Sequence, residues 1–334
     1  MRQGSVAGVL LGLGTLVAAC NGVLGLDAYT KVGERGYDAA GEGLPDADPP
    51  GAGPPDVLAD GGAAAFRRWP RWPLAPSPPE AGAFEVVADA GVRDPSTGLL
   101  WAAATEPAAT LAEAAAVCAR RPGGVWVVPT RIELLSLVDP SREAPAQPPE
   151  LFADAPEAVL WSASPPLGVD FFDGAVVRVR PGSPVRCVRL PDGRHPQRPY
   201  DTFGRDAALI RDGATNLVWL RALAASSATH AEAQALCAAA AQDGGGFRLP
   251  RYRELASLVD DVPHAVFLPG EGRVVQRAID PDAFPDTPDV AFWASDGPAA
   301  SPAVRWTVDF RDGSSARSGV GARHAVRCVR GGAP

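Results

Sequence analysis

The 334-residue chain is rich in Gly (36) and Pro (35), has 7% aromatic residues and carries a formal net charge of -8. So much Gly and Pro excludes one long uniform helix, and the length allows two domains, each able to bury an apolar core of its own. The acidic balance excludes nucleic acid as the partner, because phosphate binding needs a cationic surface that releases counterions.

The chain opens with Arg2 and an apolar run from Val6 to Ala19, too short to span a bilayer but suited to the core of a signal peptide. It ends in Leu16-Val17-Ala18-Ala19-Cys20, which resembles the lipobox of bacterial lipoproteins. Residues 1–19 are therefore read as a signal peptide and Cys20 as the lipidation site, the alternative being an ordinary secretory signal with an incidental cysteine. Acylation would hold the chain at a membrane through its N-terminal lipid, at roughly 0.8 kcal/mol per buried methylene. Asn21 replaces the aspartate that retains many lipoproteins on the inner membrane, so the outer membrane or cell surface is expected.

Residues 20–83 show neither helical nor strand periodicity and are read as a disordered Pro/Gly/Asp-rich tether. Eight acids against Lys31 and Arg35 between Asn21 and Ala65 account for most of the net charge. Near its end, Phe66-Arg67-Arg68-Trp69-Pro70-Arg71-Trp72 interleaves bases and aromatics, as a segment resting on an anionic surface, packing on the next domain or stiffening the linker would.

The remainder repeats itself. Asp94-Pro95-Ser96-Thr97-Gly98-Leu99-Leu100-Trp101 matches Asp212-Gly213-Ala214-Thr215-Asn216-Leu217-Val218-Trp219, and Cys118 matches Cys237. Trp126-Val127-Val128-Pro129 matches Phe247-Arg248-Leu249-Pro250, and the Glu133 to Asp139 segment matches Glu254 to Asp260. Phe152, Asp154, Pro156 and Trp161 match Phe284, Asp286, Pro288 and Trp293. Val169 to Gly174 matches Val308 to Gly313, and Val185-Arg186-Cys187-Val188-Arg189 matches Val326-Arg327-Cys328-Val329-Arg330. The register between copies only grows along the chain, as in a duplicated domain, and its largest step places an insertion near Val262 to Gln276, expected as a surface loop.

Each copy is expected to hold two short helices. Thr110 with Glu113 and Thr229 with Glu232 form capping boxes ahead of the helix that carries the first cysteine. Thr130 with Glu133 forms another ahead of the second helix; Arg251 occupies the cap position in copy two, so that helix start should be weaker. Leu134, Leu137 and Val138, and their counterparts Leu255, Leu258 and Val259, lie on one helix face. Strand-like sequence follows, with Asp173-Gly174 and Asp312-Gly313 at tight hairpin turns. Trp101, Trp161, Trp219 and Trp293 recur as core anchors. With Cys20 assigned to lipid, four cysteines remain, one pair per copy, and the expected disulfides are Cys118 with Cys187 and Cys237 with Cys328. A redox or metal site lacks the close Cys-x-x-Cys or Cys/His spacing it would need.

This series of motifs resembles the family typified by the C-terminal domain of the Legionella collagen-like adhesin, over 84–190 and 203–331 with a linker at 191–202. The resemblance implies an α+β chain of two tandem C-type-lectin-like domains, related to the formylglycine-generating enzymes, each a small twisted antiparallel sheet with two helices. It also implies bacterial surface adhesion, the adhesin itself binding sulfated glycosaminoglycans as a trimer. Departures are Val127 where the family has arginine, Gly168 where copy two has Thr307, and the lack of a collagen-like Gly-x-y stalk.

The late arginines of copy two suggest a face for carboxylate or sulfate groups, with Arg305, Asp309, Arg311 and Arg323 as candidate ligand-binding residues. The alternative is a solvated face balanced by Asp309 and Asp312. Asp280, Asp282, Asp286 and Asp289 could offer oxygens to calcium, although only Asp286 has a counterpart in copy one and the lectin-type calcium motifs are missing. His195, His230, His264 and His324 show no ligand spacing and are expected at surface or loop positions. No catalytic, metal or cofactor residue is assigned. The function expected is non-enzymatic recognition of an acidic or sulfated glycan, or of another envelope protein, with an enzyme of the formylglycine-generating type or a structural outer-membrane component as alternatives.

Overall fold

The computed structural model describes residues 84–87, 91–148, 152, 154, 157–191, 200–268, 270 and 272–331. The signal peptide, Cys20, the tether with its 66–72 segment, His195 and most of the expected linker lie outside them. All described residues belong to one compact unit.

Copy one opens with β1 (Glu85–Val87), β2 (Gly91–Arg93), β3 (Leu100–Trp101) and β4 (Glu106–Pro107), followed by α1 (Leu111–Ala119) and α2 (Arg131–Leu135). It closes with β5 (Val159–Trp161), β6 (Leu167–Asp170), β7 (Val176–Arg178), β8 (Pro184–Val185) and β9 (Val188–Arg189). Copy two repeats the series as β10 (Tyr200–Phe203), β11 (Leu209–Asp212), β12 (Leu217–Leu220), β13 (Ala225–Ala228), α3 (His230–Ala239) and α4 (Tyr252–Ala256). An extra pair, β14 (His264–Leu268) and β15 (Arg273–Arg277), precedes β16 (Ala291–Trp293), β17 (Val304–Asp309), β18 (Ser315–Gly319), β19 (His324–Val326) and β20 (Val329–Gly331).

Local chemistry sets many of these boundaries. The Asp94 carboxylate accepts from the Ser96 amide (2.9 Å) and the Thr97 hydroxyl (2.7 Å), folding the turn between β2 and β3. Asp212 repeats this with the Ala214 amide (2.9 Å) and the Thr215 hydroxyl (2.6 Å) between β11 and β12. Thr130 with Glu133 and Thr229 with Glu232 are reciprocal capping boxes. At α1 the box is incomplete: Thr110 accepts from the Glu113 amide (3.1 Å), but the Glu113 carboxylate reaches the Ala109 amide (2.7 Å) instead of that of Thr110. At α4 the Arg251 side chain provides no cap, and the first turn depends on Glu254 accepting from the Arg251 amide at 2.7 Å.

The strands spread over several small sheets instead of the single sheet expected per copy. In copy one the orders are β1-β2-β3-β9, β4-β8 and β5-β6-β7; in copy two they are β10-β11-β12-β20 and β13-β19-β16-β17-β18. The closing Val-Arg strand of each copy pairs with its opening Leu-Trp or Val-Trp strand, Trp101 opposite Val188 and Trp219 opposite Val329, so each copy's two ends meet in one sheet. Pairing is antiparallel apart from one parallel contact, Phe292 with Ala325. The insertion in copy two is a regular β14-β15 hairpin, correcting the expected loop, with Phe267 directly opposite Val274. Residues 200–202, placed in the linker from sequence, belong to β10, with the Tyr200 side chain buried.

Each copy packs a small apolar cluster around its disulfide, Cys118–Cys187 or Cys237–Cys328. The largest cluster, however, runs through both copies, uniting Leu134, Val138, Phe171 and Val176 with Tyr252, Val259, Trp306 and Phe310. Each copy thus keeps a small core of its own beside the one it shares. Trp306, fully buried, donates to the Pro140 carbonyl (2.9 Å) and stacks on Tyr252 (4.6 Å). The Tyr252 hydroxyl donates to the Gly174 carbonyl at 3.0 Å. Arg131 donates to the carbonyls of Ala256 and Val259 (3.3 Å each) and to Asp261 (3.2 Å), while Arg253 reaches back to the Val138 carbonyl at 2.6 Å. The hairpin glycines are needed here twice over: Gly174 and Gly313 have positive φ, and a Cβ on either would come within 2.6 Å of Val138 or 2.5 Å of Val259.

Candidate ligand-binding surface

Under the surface, one arrangement recurs in each copy. The closing Val-Arg-Cys segment turns its arginine inward. Arg186 is fully buried, donates to the Ala102 and Ala103 carbonyls (2.9 and 3.0 Å) and to Asp154 (2.7 Å), and lies over the Phe152 ring at 3.8 Å. Arg327 repeats this with the Leu220 and Arg221 carbonyls, Asp286 and Phe284. Burial pulls the Arg327 guanidinium down to about 10, with Asp286 acting in the opposite direction. Burial tends to raise the Asp154 carboxyl, but the Thr105 amide and Arg186 outweigh it and hold it below the usual range. The repeated Phe-x-Asp and Val-Arg-Cys motifs are thus halves of one buried cradle, a role not assigned from sequence. Chain distance concealed it, as Asp154 and Arg186 are brought together only by the fold.

The candidate residues of copy two lie on or near the outward face of β17 and its neighbours. Strand alternation puts Arg305, Thr307 and Asp309 on one side of β17, where Thr307 itself is buried opposite Trp293, and Trp306 and Val308 on the other, buried side. The four residues do not converge on a common pocket. Arg305 donates to the carbonyls of Pro302 and Val304 (2.7 Å each). Arg311, on the β17-β18 turn, pairs with Asp309 at 2.5 Å. Arg323 stands apart beside α3, bonded to Ser227 (3.1 Å) and paired with Glu232 (3.1 Å). Arg317 turns the other way, toward Asp173 and Glu143 of copy one, and Arg330 binds Asp243.

The histidines correct the sequence reading in part. His230 is buried, its ring edge-on to Trp293 at 5.4 Å, and His324 meets the same indole at 4.5 Å. Burial lowers both imidazoles, Arg305 adding to the effect at His230 and Asp309 opposing it at His324. Among the recurrent tryptophans, Trp101, Trp219 and Trp293 are fully buried, whereas Trp161 is only partly so. The aspartates of 280–289 diverge: Asp280 accepts from the Asp282 and Ala283 amides, Asp286 faces Leu223 and Arg327, and Asp289 pairs with Arg277 and Arg273. Among the described residues no three His, Cys, Asp or Glu side chains are grouped to hold a metal ion.

Copy one differs at the equivalent face. Beside β5-β6-β7 lies an open groove of about 790 Å³, whose lining includes Glu157, Asp170, Phe172, Arg178 and Arg180. Sequence reasoning did not find it. Gly168, which stands in place of Thr307, is not among its lining residues: the space of a side chain there is taken by the Leu160 carbonyl oxygen and Val179, 2.2 and 2.5 Å from where a Cβ would sit.

The model of the Lcl C-terminal domain matches residues 90–189 and again 208–330. No curated protein matches the chain.

Proposed function

Because the chain belongs to the Lcl C-terminal domain family in both of its copies, we propose that it is a cell-envelope binding protein of the adhesin type, recognising a glycan through tandem lectin-like domains. One observation carries the reading: two copies of an adhesin-related domain share a core and are therefore held in a fixed relation, so a multivalent surface can engage both and bind with avidity. The meeting of each copy's ends in a single sheet, with two helices per copy, supports a C-type-lectin-like fold.

Cys118, Cys187, Cys237 and Cys328 are all committed to disulfides, which favours an exported protein and removes the thiols that an enzyme of the formylglycine-generating type would use. No helix among the described residues is long and apolar enough to cross a membrane. The lipobox-like end favours attachment by lipid at Cys20. Two measurements test the whole: labelling with a palmitate analogue, expected in the native chain and lost in Cys20→Ala, and retention of the full chain on immobilised glycans, expected to be saturable. A native chain that takes no label refutes the anchor, and one that binds no glycan refutes the recognition.

A further inference from the structure

The outward faces of the two copies are built oppositely. In copy two Thr307 fills the middle of β17, only 2% exposed and donating to the Ala316 carbonyl at 3.1 Å, and Arg305 folds its guanidinium onto neighbouring backbone. In copy one Gly168 occupies the Thr307 position, opposite Val177, and the Val179 side chain and the Leu160 carbonyl close over it. Where copy two has Arg311 neutralised by Asp309, copy one has Phe172, 45% exposed beside Asp170. One Asp170 oxygen accepts from the Phe172 amide at 2.9 Å, and the other has no protein partner among the described residues.

The charges differ as well. The late arginines of copy two are occupied by carboxylates, carbonyls or a hydroxyl. Arg178, Arg180 and Glu157 form no side-chain hydrogen bond or ion pair among the described residues, and all three line the one groove. Its volume lies within the range of small-molecule sites, roughly 300–1,000 Å³. An exposed aromatic ring, free acceptors and free guanidinium forks together suit a sugar: C–H faces rest on the ring, hydroxyls donate to carboxylates, and a sugar carboxylate takes a bidentate fork. Two carboxylates facing two guanidiniums leave no net positive charge, so a densely sulfated chain would meet Glu157 and Asp170 as repulsion.

Resting on the glycan-binding reading above, we infer that the copy-one groove is a saccharide site and that it takes an unsulfated, uronate-containing oligosaccharide in preference to a polysulfated one. Phe172 is the stacking platform, Arg178 and Arg180 hold the uronate carboxylate, and Asp170 and Glu157 accept hydroxyls. At the equivalent positions copy two carries a buried Thr307 and an Arg311 paired with Asp309.

The test uses the full chain and calorimetric titration with oligomers of hyaluronan, alginate and polygalacturonate, with heparin oligomers for comparison. At least one uronate oligomer is expected to bind about tenfold or more tighter than heparin. Phe172→Ala and the double variant Arg178→Gln/Arg180→Gln should each weaken that binding about tenfold or more, with melting temperatures unchanged because these side chains are exposed or partly exposed. Arg311→Gln in copy two should leave it unaltered. Heparin bound tightest, or uronate binding indifferent to the groove variants, would overturn this assignment and leave glycan recognition standing. If no uronate oligomer binds, the assignment also fails, and retention on the wider glycan panel then judges the broader reading separately.

Discussion

Asp296 is a partly buried carboxyl group, accepting the Tyr252 amide at 2.6 Å at the start of α4. Burial raises it from its ordinary 3.8 to about 6, the Tyr252 amide opposing that rise. Its ionised form therefore costs folding free energy: the cost is absent below about pH 4, grows as pH rises through the folded value and is complete above pH 7. Asp296→Asn keeps an acceptor for Tyr252 and removes the charge. It is expected to stabilise the protein above pH 7 by at most about 3 kcal/mol and to make no difference near pH 3.5, as read by melting temperature across pH. Gln147 poses a neutral version of the same problem. It is fully buried with neither amide atom hydrogen-bonded, and copy two has Ile279 in its place. Gln147→Ile should raise stability by about 1–3 kcal/mol in chemical denaturation, and a loss would show that the amide is satisfied in solution.

The helices show how far local chemistry reaches. Five-residue helices such as α2 and α4 cannot persist alone, so their caps and packing decide them. Thr130 and Glu133 close α2 reciprocally, whereas α4 has only the Glu254 half. Glu254 compensates by gripping Arg248 with two bonds of 2.7 Å, and this partner, more than the burial opposing it, holds the Arg248 guanidinium above its ordinary value. Arg251→Thr should complete the box and stabilise the fold by about 1 kcal/mol, measurable as a higher denaturation midpoint at unchanged slope. The β14-β15 hairpin escaped the sequence reading for a physical reason. Its alternation is weak because it is an addition on the surface, with Phe267 and Val274 on its open side, and the insertion step marked its place without its form.

At the scale of the molecule, the shared core makes a prediction about cooperativity. Trp306 and Tyr252 of copy two are buried among residues of copy one, and Arg131 of copy one among carbonyls of copy two. The two copies should unfold in a single calorimetric transition, and Trp306→Ala, expected to cost about 3–5 kcal/mol, should lower that one transition without splitting it. Two separate endotherms in the native protein would contradict a common core.

By itself, the sequence determined the duplication, the family, the cysteine inventory, most helix caps and both Asp-Gly turns, because these depend on residues close in the chain or on motifs repeated in order. Tertiary structure alone decided that the copies share a core, that Arg186 and Arg327 belong to buried cradles, that the arginines of copy two are already engaged, and that a groove lies beside β5-β6-β7. These last facts depend on which side chains meet across strands and between copies, and one chain read in a line holds no record of such distances.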